Sequence, residues 1–209
     1  MEISKEEFYG ERLVCLEGVI IGITSRLNII RKHRQIKKQR DPIEHFTARI
    51  KSPKSMLEKL ERKGIEFTQD ALFNEVYDAA GVRVICTYID DVYMVAEMLA
   101  SQEDIEVVEV KDYIKNPKPT GYRSYHMIIR YPLHIGAKTV KVYAEIQLRT
   151  MAMDFWASLD HKLKYKRDIP EAEMISRELR RCADEIASTE MNFQAIRDMI
   201  DGTLYKELN

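Results

Sequence analysis

Two segments of this chain carry side chains suited to handling a phosphorylated base. The first, KDYIKNPKPTGYRSYH at Lys111–His126, sets lysines, prolines, a glycine, tyrosines, an arginine and a histidine between two strand-like stretches. Cations suit phosphate and an aromatic face suits a base. Such a loop is costly to order and poorly suited to a core. The second, AEIQLRTMAMDFW at Ala144–Trp156, supplies acids. Alternation over Thr139–Arg149 sends Val140, Val142, Ala144, Ile146 and Leu148 one way. Lys141, Tyr143, Glu145, Gln147 and Arg149 go the other way, so an acid, an amide and an arginine follow one another on one face. Over Tyr122–Tyr131, the residues Tyr122, Ser124, His126 and Ile128 share a face, while Tyr125, Met127 and Ile129 look core-directed. With the two strands as neighbours, Tyr122, His126, Glu145 and Gln147 line one concave surface.

Asp78 stands just before a third strand candidate, Gly81–Tyr88. Asp in that place serves turns and caps. Its other reading is a carboxylate at the sheet edge that shares Mg²⁺ with Glu145. Mg²⁺ takes one or two carboxylates plus substrate phosphates, which suits a widely separated pair. Further upstream, Ser55, Lys59 and Arg62 share one helix face, with Arg49, Lys51 and Lys54 just ahead. Free N–H groups at a helix N-terminus favour phosphate. The cluster reads as an anion site or as an ordinary solvated basic face. His126 reads as a phosphate contact or as a strand histidine satisfied by its neighbours. His33, His45, His134 and His161 have no partner spacing. A Walker-type P-loop, a GxGxxG turn and a nucleophile elbow are all missing from the sequence.

The elements that must hold these residues follow from periodicity. Lys5–His33 reads as one helix with a narrow apolar seam of Leu13, Leu16, Ile20, Ile23, Leu27 and Ile30. The basic run Arg31–Arg40 reads as its solvated end, and Asp41-Pro42 breaks it. Ser52-Pro53 opens a second helix, with Ser as N-cap and Pro at the first helical position. Strands are expected at Gly81–Tyr88, Ile105–Val110, Tyr122–Tyr131 and Thr139–Leu148, and a helix near Asp91–Ala100 joins the first two with parallel pairing. Thr150–Lys164 reads as a helix with an inward stripe of Ala152, Trp156, Leu159 and Leu163. Pro170 opens a last helix with a seam of Ile175, Leu179, Cys182, Ile186, Phe193, Ile196 and Ile200. The two terminal seams are free to pair with each other or across subunits.

Composition narrows the class. The chain has 209 residues, 45% of them hydrophobic and 32% charged, which fits a globular protein rather than a disordered one. Net charge is −1 from 33 basic and 34 acidic residues, so any anion site must come from local clustering. Cys15, Cys86 and Cys182 lie in apolar stretches without metal-ligand spacing and read as reduced core residues of a cytoplasmic protein. No apolar run is expected to span a membrane, and MEISKEEFYG lacks a signal-peptide pattern.

Four segments in order resemble the synthetase domain of RelA/SpoT-type alarmone synthetases: RIKSPKS at Arg49–Ser55, DAAGVRV at Asp78–Val84, PKPTGYRSYH at Pro117–His126 and AEIQLRTMAMDFW at Ala144–Trp156. The resemblance covers about Arg49–Lys166 and is to a small, synthetase-only member. It implies an α+β fold, with a nucleotidyltransferase-like mixed β-sheet flanked by helices and long N- and C-terminal helices. A single domain over 1–209 is expected, with a core at about 45–166 and helical extensions at 1–40 and 170–209. The implied activity is GTP/GDP pyrophosphokinase: the β,γ-pyrophosphate of ATP moves to the 3′-hydroxyl of GDP or GTP, giving AMP and (p)ppGpp.

Residue by residue, the resemblance implies that Arg49 and Arg83 sandwich adenine. Lys51, Lys59 and Arg62 bind ATP phosphates, with Lys54 and Ser55 as weaker contacts. Asp78 and Glu145 hold Mg²⁺, and Glu145 takes the 3′-hydroxyl proton. Tyr122 stacks on guanine, and Lys118, Arg123 and His126 meet the acceptor's phosphates. Gln147 and Arg149 support the acceptor side, and Asp154 reads the guanine edge. The Asp112–Pro119 stretch is expected to be mobile and to close over the acceptor. A homotetramer held by the terminal helices is implied. His45 and Asn28 stand where product-activated relatives carry an aromatic and a lysine, so product activation is not expected. Two other readings stay open: a nucleotidyltransferase, which wants a second acid that Asp78-Ala79-Ala80 lacks, and a non-catalytic nucleotide- or RNA-binding regulator using the basic run.

Overall fold

The computed structural model describes residues 3–164 and 172–207. Its centre is a five-stranded sheet in the order β1-β2-β5-β4-β3. The strands are β1 (Ile43–Ile50), β2 (Ala80–Cys86), β3 (Glu106–Asp112), β4 (Tyr125–Ile135) and β5 (Lys138–Thr150). The sheet is mixed: β2 runs parallel to β5, and the other neighbours pair antiparallel. The fold is α+β, as expected. The β2–β3 crossover is realised by α5 (Ile89–Ala100), but β5 and β4 lie between those two strands. The parallel neighbour of β2 is therefore β5, which brings residues far apart in the chain side by side.

One face of the sheet is the core. Val82, Val84, Ala144, Ile146, Leu148, Met127 and Ile129 are all buried there. They pack with α5 and with the long helix α2 (Arg12–Ile36). The expected helix over Lys5–His33 is two helices: α1 (Lys5–Tyr9) ends at Gly10, whose φ of 56° breaks it, and α2 follows. The seam of α2 is not free to pair with another helix. Leu13, Leu16, Ile23 and Leu27 are buried against the sheet. Gly22 makes that approach close, since a Cβ there would lie 2.5 Å from the Tyr131 ring. α2 is also long and apolar enough to cross a membrane, contrary to the expectation from the sequence, yet its apolar seam is taken up by this core.

α3 (Pro53–Lys63) starts as expected, with the Ser52 hydroxyl accepting from the Ser55 N–H and Gly64 closing the helix in the left-handed region. A short α4 (Gln69–Asn74) follows, and β1 and α4 were not foreseen. The strand expected at Ile105–Val110 is β3, which bulges between Val107 and Glu109. α6 (Met151–Lys164) buries Met153 and Trp156, whereas Leu159 and Leu163 of the expected inward stripe are exposed. α7 is Ala172–Glu207; Pro170 lies outside the described residues. Ala183 and Ala187 are its buried residues; of the expected seam, Ile175, Leu179 and Ile186 are half-buried, and Cys182, Phe193, Ile196 and Ile200 face outward. Cys15 and Cys86 are core residues as expected, but Cys182 is not.

The role of α2 as a core helix gives a direct test. Leu27→Ala is expected to cost ~2–5 kcal/mol in urea unfolding, from lost burial plus the cavity. Ile29→Ala, at an exposed position of the same helix, is expected to stay within about 0.5 kcal/mol.

Candidate active site

Strand register assembles the site. Parallel pairing sets Gly81 beside Glu145 and Arg83 beside Gln147. Antiparallel pairing sets His126 beside Gln147 and Arg49 beside Gly81. Paired residues project to the same side, so Arg49, Arg83, His126, Glu145 and Gln147 share the face opposite the core. A cleft of about 310 Å³ opens on it, lined by Arg49, Lys51, Asp78, Arg83, Glu145 and Gln147 among others. Thr47 also lines it, and neither Thr47 nor the strand that carries it was foreseen. The Thr47/Arg49 against Phe46/Ala48/Ile50 alternation was the available signal.

Asp78 lies at the head of β2. Lys51 is brought to it by a hydrogen bond from its own N–H to the Ala79 carbonyl (2.9 Å). Lys59 reaches the same place from α3, and both ammonium groups lie 2.6 Å from Asp78 Oδ2. Asp78 Oδ1 is buried and makes no hydrogen bond within the described structure. Burial pushes the Asp78 carboxyl upward, but the two lysines outweigh it and hold the group below its ordinary value. Glu145 shows the same contest. Burial raises it, while His126 and Gln147 hydrogen bonds bring it below the usual carboxylate range. Both acids are therefore ionised at neutral pH.

Around Glu145 the polar side chains are tightly joined. His126 Nδ1 lies 3.0 Å from Glu145 Oε1, and Gln147 Nε2 donates to Oε2 at 2.7 Å. His126 Nε2 meets the Tyr122 hydroxyl at 2.8 Å. Arg149, only 5% exposed, donates to Tyr122, to Gln147, to Ser124 and to Asp154. Asp154 is thus shared between Arg149 (2.9 Å) and Arg83 (3.4 Å) rather than standing alone. Lys118 Nζ sits over the Tyr122 and Tyr113 rings at 5.1 and 4.8 Å from their centroids. Tyr113 also meets His126 edge-on at 5.3 Å and is a wall of the site that alternation did not reveal.

Two expectations for the 111–126 stretch are corrected. Tyr122 is not on a strand: β4 begins at Tyr125, and Tyr122 reaches His126 from the preceding loop. That loop is also tied down rather than loose. The Asp112 carboxylate accepts from the N–H groups of Ile114 and Lys115, each at 3.0 Å. Tyr113 N–H bonds to the Ser124 carbonyl (3.0 Å) and Lys118 N–H to the Tyr122 carbonyl (3.1 Å). α7 presses on the same loop. Arg180 donates to the Pro119 carbonyl at 3.2 Å, and a Cβ on Gly121 would fall 2.6 Å from that of Ala183.

Several expected site residues lie elsewhere. Arg123 points to α7, where it meets Asp184 at 3.4 Å, and so stands apart from the His126–Glu145 cluster. Lys54, Ser55 and Arg62 are exposed on α3, with Ser55 joined to the Ser52 cap. Of the cations on that helix, it is Lys59 that reaches Asp78.

Two ionised acids flanked by cations, beside an aromatic platform, are what transfer of a phosphorylated group between nucleotides requires. The comparisons agree with that class. The pattern described as "Region found in RelA / SpoT proteins" matches residues 48–170. The GTP pyrophosphokinase YwaC of Bacillus subtilis is 40% identical over 178 residues, 85% of each chain. The GTP pyrophosphokinase YjbM of the same organism is 37% identical, over 88% of this chain and 86% of that one. Among solved structures, the small alarmone synthetase 1 from Bacillus subtilis bound to its product pppGpp superposes with a TM-score of 0.82. That match has 35% identity and covers 91% of this chain and 97% of that one. The small alarmone synthetase 2 from the same species gives a TM-score of 0.81 at 38% identity, covering 92% of this chain and all of that one. The chain belongs to the RelA/SpoT family.

Gly121 is the point where α7 meets the site. Its φ of 91° and the lack of room for a Cβ predict that Gly121→Ala destabilises the protein by ~1–3 kcal/mol in urea. Gly10→Ala is the control: it has open space at φ 56° and is expected to cost about 1–2 kcal/mol from backbone strain alone, without loosening α7 in hydrogen exchange.

Proposed function

We infer that this chain is an alarmone synthetase: it moves the β,γ-pyrophosphate of ATP onto the 3′-hydroxyl of GDP or GTP, yielding AMP and ppGpp or pppGpp. The observation that carries the reading is the meeting of Asp78 and Glu145 at one cleft, with lysines on one side and the Tyr122–His126 platform on the other. Relatives named as GTP pyrophosphokinases over most of their length support it. The nucleotidyltransferase and regulator readings are not favoured by any specific feature of the cleft.

The donor half is read as Arg49 and Arg83 on the adenine and Lys51 and Lys59 on the phosphates. Guanidinium planes stack well on bases, and lysines act as compact charges. The acceptor half is read as Tyr122 under guanine with Lys118 toward phosphate, while the expected phosphate contact of His126 gives way to its bonds with Glu145 and Tyr122. Glu145 sits between the halves and accepts the 3′-hydroxyl proton. It starts ionised, as that role requires. Asp154 serves the guanine edge through the carboxylate capacity left by Arg149 and Arg83.

Mg²⁺ fits the two acids. Asp78 Oδ1 is a buried acceptor that hydrogen bonds leave unused. Among the described residues no group of three or more His, Cys, Asp and Glu could enclose a metal. A site of two carboxylates completed by substrate phosphates is the kind Mg²⁺ favours. When bound, the ion neutralises charge on the transferred group. Lys51 and Lys59 hold Asp78 in place until then and remain within reach of the same phosphates.

We also read the enzyme as cytoplasmic and as a homotetramer. The exposed stripe of α6 and α7, with Phe155, Leu159, Leu163, Met191, Phe193 and Ile196, supports assembly. The α2 seam does not contribute to it. Light scattering at micromolar concentration is expected to give a tetramer, and a clean monomer would remove the assembly without touching the reaction.

The decisive assay incubates the protein with ATP, Mg²⁺ and GDP or GTP and resolves the products. AMP plus a guanosine tetra- or pentaphosphate is expected. Released pyrophosphate with nucleotidyl transfer, or no turnover, would reject the reading. Glu145→Gln is expected to lower kcat by about 10²–10⁴-fold while ATP still binds; retained turnover would take Glu145 out of the chemistry.

A further inference from the structure

The hydrogen bonds around Glu145 close into a ring. Arg149 Nη2 donates to the Tyr122 hydroxyl at 2.7 Å and to Gln147 Oε1 at 3.3 Å. Gln147 Nε2 donates to Glu145 Oε2 at 2.7 Å. Glu145 Oε1 faces His126 Nδ1 at 3.0 Å, and His126 Nε2 faces the Tyr122 hydroxyl at 2.8 Å, which returns to Arg149.

Donor bookkeeping orients every member. A guanidinium only donates, and a tyrosine hydroxyl has one proton. Glu145 is a carboxylate, so His126 Nδ1 carries a hydrogen, and with a neutral imidazole Nε2 takes the Tyr122 proton while the Tyr122 oxygen accepts from Arg149. His126 then carries its hydrogen on Nδ1 and donates to Glu145. Gln147 is fixed in the same way, amide nitrogen toward Glu145 and oxygen toward Arg149. No link in the ring sets donor against donor or acceptor against acceptor. Each oxygen of Glu145 is therefore held by a different partner.

Arg149 is the fixed point. It is nearly fully buried, and its other nitrogens are held by Ser124 Oγ (3.4 Å) and Asp154 Oδ1 (2.9 Å). From there it controls Glu145 by two arms, one through Gln147 and one through Tyr122 and His126.

We propose that this ring aims Glu145 at the acceptor hydroxyl, with Arg149 and the Tyr122 hydroxyl as positioning groups acting through Gln147 and His126. The proposal rests on Glu145 being the group beside the 3′-hydroxyl. It gives Tyr122 two separable jobs: its ring face serves the guanine, and its hydroxyl serves the carboxylate. A carboxylate free to turn about its side-chain torsions spends part of its time misdirected, and small misplacements are costly in rate. Without the Tyr122 hydroxyl, His126 loses the donor that fixes its ring. The Nδ1–H then leaves Glu145 free on one side.

Tyr122→Phe keeps the ring face and deletes the hydroxyl. It is expected to lower kcat by about 10–100-fold, as loss of a supporting hydrogen bond does. The acceptor KM is expected to stay within about twofold, since the transition state alone loses the interaction. Tyr122→Ala, which also removes the face, is expected to raise the acceptor KM far more than the ATP KM. Arg149→Lys is expected to lower kcat similarly, because one ammonium cannot bridge Tyr122 and Gln147 while keeping Ser124 and Asp154. The double variant Tyr122→Phe/Arg149→Lys is expected to be no slower than the slower single variant, as for parts of one unit. Circular dichroism melts confirm that each variant is folded before its kinetics are compared. Wild-type kcat in Tyr122→Phe overturns the proposal, and so do losses that multiply in the double variant, or an effect of Tyr122→Phe confined to the acceptor KM. Failure of the activity reading would appear separately, as absence of AMP and alarmone from the unaltered enzyme.

Discussion

The parallel pairing of β2 with β5 is the constraint on which the rest depends. It sets Gly81 against Glu145 and Arg83 against Gln147, and it leads Asp78 out of the sheet toward Glu145's end of the cleft. A shift of one residue would turn every side chain of one strand to the other face. The core prevents that shift. Val82, Val84, Ala144, Ile146 and Leu148 are all within 1% of full burial on the side covered by α2 and α5. The apolar face therefore fixes the register, and the register fixes the polar face.

The polar face then behaves as two halves with a shared middle. On one side, lysines neutralise Asp78; on the other, Arg149 organises neutral and acidic partners around Glu145. Asp154 joins them, since it touches both Arg149 and Arg83. Burial alone would push the Asp78 and Glu145 carboxyls upward. Charged and hydrogen-bonding neighbours more than offset that push and hold both below their ordinary values.

Much of this was legible in the sequence because β5 is long and half-buried, so alternation alone assigned Glu145, Gln147 and Arg149 to one face. His126 followed for the same reason once β4 proved to be the neighbour. Tyr122 misled because its alternation with His126 continues past the start of β4, while Gly121 turns the backbone into a conformation no strand uses. β1 was hidden by the Pro42 break and by its exposed, mixed composition. α7 misled most. A seam at heptad spacing says that a helix has an apolar side, but not that this side faces its own domain. Here the buried side is set by Ala183 and Ala187, with Ile175, Leu179 and Ile186 half-buried, and periodicity does not say what covers the rest.

That inner side of α7 gives the molecule an unequal response to its surroundings. Beside the buried Ala183 and Ala187, the helix is held by Arg180 on the Pro119 carbonyl, Arg123 on Asp184, Glu190 on Thr150 and Arg197 on Asp90. The sheet and α2 are joined by apolar burial, which added salt scarcely weakens. Ion pairs near the surface are screened over about 8 Å at physiological ionic strength. Salt therefore weakens the Arg123–Asp184 and Arg197–Asp90 pairs of α7 more than it weakens the seating of α2 on the sheet.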